Sequence, residues 1–222
     1  MIKHIIFDWD NTLSMTEYAN FLAENEGARL LGVKPQSREL HKKTAGMEFR
    51  DALNVRFPEA DPDELMNLIS TKIFPKYLKE GIADSVSDRT ANALKKLKNK
   101  GYILHILTSR REAVVSHIID EDHMLNEYIT DIFYLEKTKF KKPDPRVFDS
   151  LLKEIKATPD ECLYVGDAPD DSCASKAGIF FIVTLESGLR TKEDFKDYSV
   201  DEFISDLSEL PVLLKNLSSK VN

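Results

Sequence analysis

The chain has 222 residues, of which 42% are hydrophobic and 31% charged, with a formal net charge of −7. That length suits one core domain with a sizeable insertion, and the composition is that of a globular protein. The acidic balance and the lack of a dense basic patch argue against nucleic-acid binding through phosphate neutralisation. No apolar run approaches the ~20 residues that a membrane helix needs, so no membrane partner is expected. Cys162 and Cys173 lie in no CxxC and have no histidine cluster beside them. Zinc is therefore not expected, and the two thiols suit a reducing compartment. Met1 leads straight into an apolar run with no signal-peptide pattern, so the expected location is cytoplasmic.

Taken in chain order, the first predicted strand is HIIF (4–7). The next stretch, 14–32, reads as a helix, with Ser14 and Glu17 in capping-box spacing and Gly32 as its stop. Helical pieces follow near 36–45, 48–56 and 63–79, with breaks at Pro58 and Pro62 and a kink expected at Pro75. No strand is expected between residues 15 and 85. From residue 86 strands and helices alternate. A helix at 87–101, with Ala91, Leu94 and Leu97 on one face, precedes the strand YILHILT (102–108). The strand DIFYLE (131–136) follows, and then a helix at 144–156 whose apolar positions are Val147, Phe148, Leu151, Leu152 and Ile155. Two more strands, CLYVGD (162–167) and IFFIVT (179–184), complete the pattern. Near-continuous apolar strands fit a parallel sheet covered on both faces. The expected fold class is α/β: a doubly wound, Rossmann-like parallel sheet core of residues 1–14 and 86–222, with an inserted all-helical cap domain of residues 15–85.

In such a sheet, ligands bind outside the carboxyl ends of the strands. Asp8 and Asp10 stand at the end of the first strand, Thr108 and Ser109 at the end of the second, and Lys142 beyond the third. Asp167, Asp170 and Asp171 follow the fourth. Each alone reads most simply as a turn residue, a helix cap or a solvated charge. Together, and in this order, they should converge on one spot. Carboxylates gathered in one place repel one another unless a cation joins them, and all-oxygen donors favour a hard cation such as Mg²⁺. The Lys142 ammonium and the Thr108 hydroxyl can donate to phosphate oxygens. One aspartate can attack phosphorus while another serves as acid and base. Receiver domains of signalling pairs also combine acidic residues, Thr and Lys at strand ends. They lack a large helical insertion, and their acidic pair does not lead to a further acidic cluster after the Lys.

The order FDWDNTL, ILTS, KKPDPRVF, YVGDAPDDSCASKAG resembles the four motifs of the haloacid dehalogenase superfamily over essentially the whole chain. The helical insert resembles the type-one cap of its phosphoglycolate-phosphatase-like members, and TAGMEFRDAL (44–53) looks like the cap segment that approaches substrate in that group. The resemblance implies Asp8 as nucleophile, Asp10 as acid and base, and Thr108 and Lys142 as holders of the transferring phosphoryl group. It implies Mg²⁺ held by Asp8, the Asp10 backbone carbonyl and Asp167, with Asp171 either a ligand or a partner of the ligands. Thr12 would brace the nucleophile loop. Ser109 and, from the cap, Arg50 are candidate substrate contacts. Asn11 replaces the usual Gly and should accept the same left-handed turn, and Trp9 reads as core filler. The implied activity is Mg²⁺-dependent hydrolysis of a small phosphomonoester metabolite: a phosphoglycolate-like compound, a nucleotide or a sugar phosphate. A sugar phosphomutase would use the same residues. A dehalogenase would not need Asp10 or a metal, and a non-catalytic binding protein would not need the whole set. The sequence leaves the oligomeric state open.

Overall fold

A computed structural model describes residues 1–45, 47–119 and 123–219. Gly46, within the predicted substrate-facing segment, lies outside the described residues. Two compact units form: residues 1–13 with 86–222, and residues 14–85.

Chain order begins with β1 (His4–Phe7) and passes directly into the helical unit: α1 (Thr16–Leu30), α2 (Arg38–Lys43), α3 (Phe49–Arg56), α4 (Pro62–Leu68) and α5 (Phe74–Lys79). The capping box expected at Ser14 does not form. Helix α1 starts at Thr16 with no side-chain cap, because the buried Glu17 carboxylate instead accepts from Arg38 at 2.7 Å. Pro75 does not break its helix. A π-helical turn, Ile69–Ile73, precedes it, with the Phe74 N–H reaching the Ile69 carbonyl. The extra residue in that turn accommodates a ring that lacks a donor and crowds the preceding turn. The unit's core gathers Ala19, Ala23, Leu53, Phe57, Leu65 and Ile73. A second interior feature is ionic: Arg56 donates to both oxygens of Glu24 at 2.7 and 2.8 Å.

The other unit continues with α6 (Asp88–Asn99), β2 (Ile103–Leu107), α7 (Glu112–Ile119), β3 (Ile129–Phe133), α8 (Val147–Ile155), β4 (Cys162–Gly166), α9 (Cys173–Lys176), β5 (Phe180–Thr184), β6 (Glu202–Ile204) and α10 (Leu210–Ser219). The six strands are all parallel in the order β3-β2-β1-β4-β5-β6. The direction of winding reverses between β1 and β4, and this is where a doubly wound sheet opens a crevice. Alternation along each strand supplies two cores. Ile5, Phe7, Leu104, Ile106 and Val165 face Leu94, Leu97, Val115 and Leu214. Ile6, Leu107, Phe133, Tyr164 and Phe181 face Val147, Phe148, Leu151 and Ala174. Each large apolar side chain so buried stabilises the fold by ~1.5–3 kcal/mol.

Within this second unit, three details differ from the sequence reading. The buried face of α6 is Thr90, Ala93, Leu94 and Leu97, and Ala91 is only half-buried. Strand β3 runs 129–133 rather than 131–136: its partner β2 ends opposite Phe133, and the Leu135 N–H turns away to the Arg110 carbonyl. Being an edge strand, β3 exposes Thr130, and that interrupts the apolar run which would have revealed its start. Strand β6 lies outside the expected strands; it is a three-residue edge strand in which only Ile204 is buried. Trp9 is fully buried in the core, and Cys162 and Cys173 are buried free thiols that burial pushes up to about 12. Among the described residues, no helix is long and apolar enough to cross a membrane.

On the sheet's far half, His4 Nδ1 lies 3.0 Å from His105 Nε2, and Asp131 Oδ2 lies 3.1 Å from His105 Nδ1. Burial pushes His105 down to about 4, outweighing the pull of Asp131. Its folded pKa is therefore below the ordinary ~6.5 of an unfolded chain. The unfolded state binds the extra proton first, so the stability that His105 supports is fully present above pH ~6.5 and is lost as pH falls toward 4. Urea denaturation at pH 7 and pH 4.5 should show a loss from this group on the order of 2 kcal/mol, and His105→Leu should lose correspondingly less over the same interval. Equal losses in the two proteins would remove His105 from the acid response.

Candidate active site

The site grows from strand ends on either side of the reversal point. Past β1, the Asp8 N–H extends the pairing by donating to the Val165 carbonyl of β4 at 2.8 Å. The chain then turns sharply: the Leu13 N–H returns to the Trp9 carbonyl at 3.1 Å, and Asn11 sits at φ 56°. Asn accepts this left-handed conformation more readily than most residues. The loop is held by this turn and by the bond to Val165. The Thr12 hydroxyl, which the motif implied as its brace, is buried and has no hydrogen-bond partner among the described residues.

Lys142 comes from the loop between β3 and α8, and its Nζ is the hub of the site. It donates to Asp8 Oδ1 at 2.7 Å, to Asp171 Oδ1 at 2.7 Å and to the Tyr164 hydroxyl at 3.0 Å. An ammonium has three donors, and each is engaged here. Tyr164 in turn donates to Asp171 Oδ1 at 2.9 Å. The other oxygen, Asp171 Oδ2, accepts the backbone N–H groups of Asp167 at 3.1 Å and Ala168 at 3.0 Å. A carboxylate offers about four lone-pair directions; those of Asp171 are all taken by the protein.

Carboxylate oxygens of Asp8, Asp167 and Asp171 lie within 4.8 Å of one another, all three residues buried. Burial raises Asp8 to about 7 against the pull of Lys142, and Asp171 adds to the rise. Asp167 is held well above the usual carboxylate range by burial, and then by Asp171 and Asp8. Burial works against the Lys142 ammonium too, but Asp171 and Asp8 outweigh it and hold it well above its ordinary value. Three carboxylates around one ammonium leave negative charge uncompensated, and burial of like charges is costly without a further cation. The donors on offer are all oxygens, which suits a hard divalent ion. Asp8 and Asp167 are the carboxylates with capacity to ligate it, since the acceptor positions of Asp171 are filled.

The other expected residues divide. Thr108 is buried at the end of β2, its N–H on the Phe133 carbonyl at 2.9 Å and its Oγ1 accepting from the Arg110 N–H at 3.2 Å. Ser109 is exposed. The Asp10 carboxylate is not part of the acidic cluster; Arg110 grips it through Nε at 2.9 Å and Nη2 at 2.6 Å. Asp170 is exposed. Arg50 belongs to the helical unit, where its exposed side chain pairs with Asp63. Tyr164, Arg110 and Gly166 make contacts that the motif spacing does not reveal. For Tyr164 the available signal was a phenol inside an otherwise apolar strand.

Gly166 explains why Asp171 can reach so deep. A Cβ at this position would lie 2.3 Å from Asp171 Oδ2 and 2.4 Å from its Cγ. Gly166→Ala should force Asp171 off the two backbone N–H groups and cost ~1–3 kcal/mol by overpacking alone. The urea midpoint measures it; an unchanged midpoint would mean that the turn after β4 yields freely.

Comparisons with known proteins bear on the family and the fold. A family profile described as haloacid dehalogenase-like hydrolase matches residues 5–184. The chain is 26% identical over 215 residues to a phosphoglycolate phosphatase of Vibrio cholerae, covering 92% of this chain and 93% of that one. It is 28% identical over 188 residues to a phosphorylated carbohydrates phosphatase of Thermotoga maritima, covering 80% and 82%. The crystal structure of CbbY from Rhodobacter sphaeroides in complex with phosphate shares the fold, with a TM-score of 0.69 at 21% identity over 95% of this chain and 96% of that one. With its motif residues gathered at the reversal point of a parallel sheet and the profile matching most of its length, the chain belongs to the haloacid dehalogenase-like hydrolases.

Proposed function

We propose that this hydrolase is a phosphatase that removes the phosphoryl group from a small phosphorylated metabolite through an aspartyl-phosphate on Asp8, with Mg²⁺ as its ion. The observation that carries the reading is the Lys142 ammonium held 2.7 Å from Asp8 inside a buried acidic cluster. This is a site with fixed positive charge where a phosphoryl dianion must sit, next to a carboxylate able to attack it. In the first step an Asp8 oxygen bonds to phosphorus and the ester P–O bond breaks. Asp10 gives its proton to the departing alkoxide. In the second step Asp10 takes a proton from water, the water oxygen bonds to phosphorus, and the Asp8–phosphorus bond breaks to free phosphate. Lys142 balances charge on the phosphoryl oxygens throughout, and the Thr108 hydroxyl donates to one of them. Asp10 must leave the grip of Arg110 to reach the departing oxygen, because both of its carboxylate oxygens accept from that guanidinium. Asp8 and Asp167 would hold Mg²⁺, which when bound supplies further neutralisation of the phosphoryl charge.

The relatives are named for phosphoglycolate and for phosphorylated carbohydrates, which supports a small phosphorylated substrate. The proposal includes a cytoplasmic location, supported by the two unpaired thiols, and a cap that sets which ester enters. The test is phosphate release across a panel of phosphoglycolate, nucleotides and sugar phosphates with Mg²⁺. Conversion of a sugar phosphate to its isomer without free phosphate would mark a phosphomutase instead.

The metal assignment has its own expected result. After chelation activity should vanish, return with Mg²⁺, and fall when Ca²⁺ is titrated in. Ca²⁺ accepts ~6–8 oxygens at longer distances than Mg²⁺, so both oxygens of Asp8 can be drawn into its shell and lost to attack. Full activity with Ca²⁺ alone, or in chelator, would overturn the arrangement of Asp8 and Asp167 around Mg²⁺.

A further inference from the structure

We infer that Tyr164 is a positioning residue whose hydroxyl, set between Lys142 and Asp171, keeps the Lys142 ammonium on the Asp8 carboxylate. Lysine carries its charge on a flexible four-carbon stem, and Lys142 rises from a loop rather than from a strand or helix. Aiming such a group requires rigid partners. Tyr164 is one: it lies on the central strand β4, fully buried. Its ring is fixed by Phe148, edge-on with centroids 5.2 Å apart, and by Phe181, stacked at 6.1 Å. The hydroxyl is thus placed by core packing, and it is used twice, accepting from Lys142 at 3.0 Å and donating to Asp171 at 2.9 Å.

Asp171 is the second rigid partner, pinned by the Asp167 and Ala168 N–H groups over the space that Gly166 leaves open. A chain of fixed contacts therefore runs from the backbone after β4 through Asp171 and Tyr164 to Lys142, and ends at Asp8. A phenylalanine at 164 would fill the same volume for the apolar core. The hydroxyl is the part of the side chain that is costly to bury, and both of its bonds serve the site. A reacting group displaced by a fraction of the length of a hydrogen bond loses much of the benefit of preorganisation.

This inference rests on the phosphatase reading. Its test is Tyr164→Phe in the full chain, assayed with p-nitrophenyl phosphate and Mg²⁺ beside the wild type, with thermal melting of both. The expected result is a fall in kcat of ~10-fold or more with KM changed less than ~threefold and a melting temperature within a few degrees of wild type, as loss of aim rather than of binding or fold requires. A kcat within about twofold of wild type, or a fall explained by melting alone, overturns it. If the wild type releases phosphate from no ester, the phosphatase reading itself fails. Crystal structures of the two proteins then decide the positioning: Lys142 Nζ displaced from Asp8 in the variant supports it, and an unmoved Nζ overturns it.

Discussion

Asp8→Asn should abolish turnover, lowering it by ~10⁴-fold or more, because the amide is nearly isosteric but does not attack phosphorus. The fold should survive. Burial already pushes the Asp8 carboxyl up to about 7, above its ordinary ~3.9. The folded state therefore holds this proton more tightly than the unfolded one, and stability is lost as pH rises through that interval, with the full penalty in place above it. The amide carries no such penalty and can still face the Lys142 ammonium through its carbonyl oxygen. In chelator at pH 8, Asp8→Asn should melt no lower than wild type. Phosphate release and thermal melting measure the two halves. Turnover within tenfold of wild type would end the covalent mechanism.

Lys142→Ala should damage both activity and stability. The variant strips three groups of their shared partner: Asp8, Asp171 and Tyr164. Removing one member of a buried ion pair typically costs ~3–5 kcal/mol, since it leaves buried charge uncompensated. The charge developing on a phosphoryl group would go unmet as well, a loss expected at ~10²–10³ in kcat or more. Another cation at the strand ends, Arg110, is committed to Asp10 through a two-pronged grip and is not expected to replace it. Because the excess negative charge in the variant sits on Asp8, Asp167 and Asp171, added Mg²⁺ should restore more stability to Lys142→Ala than it adds to wild type. Urea denaturation with and without Mg²⁺, alongside phosphate release, checks this. Near-normal turnover would show that another group carries the phosphoryl charge.

Residue order alone determined a good deal about this protein. Short apolar runs separated by amphipathic helices mark a parallel sheet, because strands covered on both faces have no polar side to show. The place of each polar residue just past such a run is a local property, and it brings Asp8, Thr108, Lys142, Asp167 and Asp171 to the same edge of the sheet. Trp9 as core and Asn11 as a left-handed turn follow from side-chain type in the same way.

Only the tertiary structure decided how those residues divide their contacts. Asp171 and Asp167 look alike in GDAPDD, yet the Asp171 carboxylate is saturated by Lys142, Tyr164 and two backbone N–H groups, one of them that of Asp167 itself. Asp8 and Asp10, two residues apart, part company because Arg110, one hundred residues later, holds the second. Glu17 has the spacing of a cap but is claimed by Arg38 across the helical unit. The bounds of the edge strand β3 shift, and the short edge strand β6 escapes, for a related reason, since an edge needs no continuous apolar run and its ends are set by where the neighbouring strand stops. In each case the outcome depends on competition among partners far apart in the chain, and spacing along the chain carries no record of which partner wins.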